Sequence, residues 1–100
     1  MRIDAASGDR AIITMSEAYE YDLLRVVEQL KNVAESVEIR GQGAARFVFA
    51  SNHQHTIELS QSSNGIWVEC WNDQVDAPVA EATLSSYAEA SEYARAWLLA

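Results

Sequence analysis

The most regular pattern in the chain is the spacing of apolar residues between Tyr19 and Val37. Tyr19, Leu23, Val26, Leu30, Val33 and Val37 recur at alternating steps of three and four, the repeat of an amphipathic helix with one apolar stripe. It predicts a helix from about Met15 to Ser36. Thr14 and Glu17 stand three apart at its start, the spacing of a capping box. Glu17, Glu20 and Asp22 follow in the first turns, where negative charge complements the helix dipole, and Lys31 lies toward the other end.

After Gly41 and Gly43 the period shortens to two. Arg46–Ala50 carries the aromatic and β-branched residues of a strand. Thr56–Ser60 alternates, with Ile57 and Leu59 on one side. Ile66–Trp71 reads as a third strand, and Asn64-Gly65 before it is a strong hairpin signal. Val79–Thr83 is a weaker fourth strand, and Pro78 before it suits an edge because proline has no donor for a ladder. The period returns to 3.6 at Tyr87, Ala90, Ala94, Trp97 and Leu98, giving a second helix from about Tyr87 to Leu99. Ser86 and Glu89 again have capping-box spacing. Residues 1–9 read as a loose lead-in, and Ala11–Thr14 as either a short strand or the entry to the first helix.

The order helix, strands, helix predicts an α+β two-layer sandwich. Its antiparallel sheet has three or four strands, with the N-terminal and C-terminal helices packed on one face. With 100 residues and an apolar content of 49%, the chain suits one domain with a single core spanning 1–100. No apolar run approaches the length of a membrane span. The formal charge is −8, which disfavours binding to a phosphate backbone. Cys70 is the only cysteine, and the first ten residues lack the apolar stretch of a secretory signal; together these point to a reducing cytoplasm. Sixteen alanines and six Arg to one Lys suit a bacterial genome.

Alternation along the third strand carries the functional reading. Ile66, Val68 and Cys70 point one way, and Trp67, Glu69 and Trp71 the other. If the helices cover the aliphatic side, Trp67 and Trp71 lie on the opposite face beside Glu58 and Glu69, with Asp73 and Asp76 in the loop that follows. Paired tryptophans ringed by acid mark a docking surface. Two other arrangements satisfy the same pattern: the N-terminal residues fold over the indoles, or the indoles face the helices.

Motifs for chemistry are sparse. His53-Gln54-His55 has no cysteine beside it and sits in a polar turn, so it reads as solvated rather than as a metal site. Asn72, Asp73 and Asp76 match no calcium-loop spacing. Cys70 lies among aliphatic strand positions, where cysteine is a small core residue. No Gly-x-Ser-x-Gly element is present, and Gly41-Gln42-Gly43 is too short for a phosphate cradle. The expectation is a non-catalytic module without metal or cofactor. It docks a basic protein partner, or a second copy of itself, through Trp67, Trp71, Glu58, Glu69, Asp73 and Asp76. In size, charge and layout such a chain resembles bacterial immunity proteins that neutralise basic toxins, or acidic secretion chaperones. Two rivals share the sequence: a small-molecule or enzymatic pocket between sheet and helices using His53, His55, Tyr19 or Tyr21, and a structural subunit of a larger assembly.

Overall fold

In the computed structural model, residues 15–100 are described, with side chains from Tyr19 onward except at residues 20 and 21. The lead-in, the 11–14 segment, the Thr14–Glu17 capping box and the side chain of Tyr21 therefore lie outside the described residues. Helix α1 (Met15–Leu30) is followed by β1 (Ser36–Arg40), a 3-10 turn at Gly43–Ala45, and β2 (Phe47–Asn52). Then come β3 (His55–Ser62), β4 (Gly65–Asn72), β5 (Ala80–Leu84) and helix α2 (Tyr87–Leu98). All neighbouring strands pair antiparallel in the order β1-β2-β3-β4-β5. The class is α+β, an antiparallel sheet with two helices.

Five strands replace the expected three or four, and the added strand starts where the predicted helix was to end. It shares Ser36 and Val37 with the helical reading and continues through Glu38, Ile39 and Arg40, to which the pattern assigns no element. Helix α1 stops at Leu30, well short of Ser36. Its end is tied off by Val33 and Ala34, whose amides both donate to the Leu30 carbonyl. The next amide, Glu35 N, donates to Ser51 O across the sheet at 2.9 Å. From that handover the backbone is extended, and Val37 and Ile39 reach the core from a strand. A β-branched residue at Val37 fits a helical stripe and a period-two strand equally well, so spacing alone does not separate them.

One core joins both helices to one side of the sheet. Tyr19, Leu23, Val26 and Leu30 of α1 and Ala90, Ala94 and Leu98 of α2 pack with Val48, Ala50, Ile57, Leu59, Ile66, Val68 and Cys70. Leu23, Leu30, Ile57 and Leu59 are among the largest side chains removed completely from water. Each such residue contributes roughly 1.5–3 kcal/mol through burial. The alanines of α2 let that helix lie close to the strands. Polar ties fix the helices against the sheet. The Tyr19 hydroxyl donates to Arg46 O and accepts from Gln61 N. Trp97 Nε1 donates to Thr56 O, and Asn52 Nδ2 donates to Leu98 O. Ser86 caps α2 by accepting from Glu89 N, while the Glu89 carboxylate accepts from Ser85, one residue earlier than a capping box places it.

Short hairpins set the strand register. The β3–β4 hairpin closes on Ser62 opposite Gly65, with Ser63 and Asn64 at its tip. Gly65 has φ +138, and a Cβ there would lie 2.3 Å from the Leu84 carbonyl oxygen. Only glycine tolerates both demands. The β2–β3 hairpin closes on Asn52 opposite His55, and His53 takes a left-handed φ of 50 at its tip.

Candidate functional site

Antiparallel register turns the alternation of single strands into rows across the sheet. Every second residue of β3 and β4 enters the core, so Thr56, Glu58 and Ser60, with Trp67, Glu69 and Trp71, fall on the other face. Pairing then places Glu38, Phe49, Glu58, Glu69 and Glu81 in one line that crosses all five strands. On one side of it run Arg40, Phe47, Ser60, Trp67 and Thr83. On the other run Ser36, Ser51, Thr56 and Trp71. Four glutamates therefore lie between two flanks that carry aromatic rings.

Phe47, Phe49, Trp67 and Trp71 are all half-buried, and none belongs to the cluster around the core. The Trp71 indole nitrogen is buried without an acceptor among the described residues, so the part of the ring that reaches the surface is carbon. Arg40 lies over the Phe49 ring, its guanidinium carbon 3.6 Å from the centroid, and its Nε donates to the Glu38 carboxylate. This face thus already holds one guanidinium against an aromatic ring and an acid.

The electrostatic centre of the face is the pair Glu58 and Glu69, directly opposite each other on β3 and β4. Like charges in directly opposed positions repel. Burial pushes the Glu58 carboxyl above the ordinary glutamate value, the charge of Glu69 pushes it further, and Arg40 partly opposes both. Both residues are half-buried. The fold keeps an electrostatically unfavourable pair here.

Of the residues singled out in the sequence, Trp67, Trp71, Glu58 and Glu69 come together on this face. Asp73 and Asp76 are exposed in the β4–β5 connection, beyond the end of the rows. Four further contributors went unnoticed: Glu38, Phe47, Phe49 and Glu81. For Phe47 and Phe49 the signal was present, since they alternate with the buried Val48 and Ala50. Glu38 was missed because no strand is expected between the predicted helix and Gly41.

The rival sites look different in three dimensions. The interior between helices and sheet is filled by the core, and the Tyr19 hydroxyl is engaged by backbone. His53 and His55 sit at the β2–β3 hairpin, outside that interior. His53 Nδ1 is 3.2 Å from Glu35, and the His55 ring meets Trp97 edge-on at 4.6 Å. No group of three or more His, Cys, Asp or Glu among the described residues is arranged to hold a metal ion. Cys70 is buried, and that burial pushes its thiol up against an opposing hydrogen bond from Tyr93. A protonated, enclosed thiol is a poor nucleophile. A shallow groove of about 380 Å³ lies between the helices, lined by Asp22, Arg25, Gln29, Tyr87 and Ser91 among others. No helix among the described residues is long and apolar enough to cross a membrane. No protein-family model, curated protein or solved structure matches the chain.

Proposed function

We propose that this chain is a non-catalytic protein-binding module that docks a basic protein partner through the sheet face turned away from the helices. The observation that carries this reading is the glutamate row between Phe47 and Trp67 on one side and Trp71 on the other. Half-buried rings supply apolar area to a partner, and the acids steer and orient a positively charged one. Asp73 and Asp76 extend the negative field at the edge of the docking surface. Self-association through the same face is the alternative occupancy. The filled interior and the enclosed Cys70 support a non-catalytic role. An unpaired, buried cysteine also suits a reducing, cytoplasmic setting.

The test is a Trp67→Ala/Trp71→Ala double variant. Wild-type protein is purified with its native partner, the partner is identified and made separately, and the complex is rebuilt from pure components. The double variant is expected to lose the complex while its far-ultraviolet circular dichroism stays that of the wild type. A complex that forms equally well with the double variant places the interface elsewhere.

A further inference from the structure

Two features of the face bear on the chemistry that a basic partner presents to it. At the β1–β2 end the Arg40 guanidinium lies over Phe49 with Glu38 beside it. At the centre, Glu58 and Glu69 oppose each other between Trp67 and Trp71, and no cation of the described residues forms an ion pair with either carboxylate. Trp67 and Trp71 precede and follow Glu69 by two residues on β4, which sets their Cα atoms roughly 6.8 Å along the strand from that of Glu69 and their side chains on its face. The central arrangement therefore repeats the elements of the first, aromatic residues and a carboxylate, but among the described residues no guanidinium is ion-paired there, and Arg40 acts on Glu58 only as a nearby charge.

From this geometry we infer that the Glu58–Glu69 pair, walled by Trp67 and Trp71, is the seat for an arginine side chain carried by the basic partner. The inference rests on the docking role proposed for this face and specifies its occupant. Arginine fits better than lysine for geometric reasons. Its planar fork addresses two carboxylates at once and stacks on an indole, whereas an ammonium is a compact and strongly hydrated point charge. Seating it also replaces the repulsion across the pair with attraction, so the face gains on binding what it lacks alone. A second copy is the poorer occupant. The chain carries a formal charge of −8, and a two-fold pairing of like faces brings one glutamate row onto another.

Fluorescence anisotropy with labelled Ser/Gly peptides tests this, one bearing several arginines and a twin bearing lysines in their place. The arginine peptide should bind several-fold tighter than its twin. Glu58→Gln/Glu69→Gln should weaken it by roughly tenfold. Glu28→Gln/Glu92→Gln makes the same change of charge on the helices and should leave binding as it was. Neutralising a repelling pair does not endanger folding, and circular dichroism of each variant checks this. Equal affinity for the two peptides, or full binding by Glu58→Gln/Glu69→Gln with loss only on Trp67→Ala, overturns the arginine seat and leaves the docking face standing. A dimer in light scattering that the tryptophan double variant splits and the arginine peptide does not disturb overturns the inference in favour of a second copy. Peptide binding indifferent to both the glutamate and the tryptophan pairs overturns the seat and the docking face together.

Discussion

The two faces of the sheet are built from the same strands but obey different rules. Toward the helices stand Val48, Ala50, Ile57, Leu59, Val68 and Cys70, aliphatic or small and fully removed from water. Away from them stand Phe47, Phe49, Trp67 and Trp71, larger and yet only half-buried, with four glutamates between. The inner face follows shape and apolar volume, as a core must. The outer face spends large rings where no described helix covers them and sets like charges opposite each other. The contrast shows that ring size alone does not mark the interior of this protein. What separates the faces is whether the neighbours of a side chain are apolar on every side.

Truncating one large side chain on each face separates the two most directly. Leu59→Ala should cost about 3 kcal/mol in denaturant unfolding, because a fully buried leucine leaves a cavity that the packed surroundings cannot close. Trp67→Ala removes a larger side chain but should cost only about 1 kcal/mol, the scale of cross-strand pairing on a sheet face that no described helix covers. Equal costs would mean that the outer face is a second core.

A smaller effect tests what assigns residues to faces at all. Sliding one strand by a single residue would exchange the two sets of side chains. Gly65 resists that slip by holding the β3–β4 hairpin in its register beneath the Leu84 carbonyl. Gly65→Ala should destabilise the fold by about 2 kcal/mol, through both the strained φ and the crowded Cβ. An unchanged unfolding midpoint would show that the register is held by the core alone.

The smallest expected effect has the opposite sign. Burial, and then Glu69, raises the Glu58 carboxyl above its value in an unfolded chain. Between the unfolded and folded values the native state therefore binds more protons, so stability falls as pH rises through that window. Above it the full cost remains. Glu58→Gln should thus make the protein more stable at neutral pH and flatten that part of its stability–pH curve. A loss of stability in Glu58→Gln would show that this carboxylate is well partnered in the fold, and the outer face would no longer differ from an ordinary polar surface.

Much of this contrast was legible in the chain. The stripe Tyr19, Leu23, Val26 and Leu30 and the set Ala90, Ala94 and Leu98 name the buried sides of both helices. Alternation through Ile57, Leu59, Ile66, Val68 and Cys70 names the inner side of the two central strands. Ser86 announces the start of α2 and does cap it. Those signals are local, since each depends only on the period of one element and the chemistry at its ends.

The row that makes the candidate site is a different kind of fact. Sequence places Glu58 and Glu69 on the same face, but only pairing makes them opposite, and only the pairing of β1 and β2 brings Glu38 and Phe49 into line with them. The same holds for where α1 ends. Val33 and Val37 continue its repeat without a break, and the decision falls to Glu35, whose amide finds the Ser51 carbonyl on a strand not yet made when the helix is read. Periodicity along one segment determined which residues of this protein face inward. Backbone hydrogen bonds between segments distant in the chain decided which residues stand side by side, because a ladder is satisfied by its partner strand and not by its own sequence.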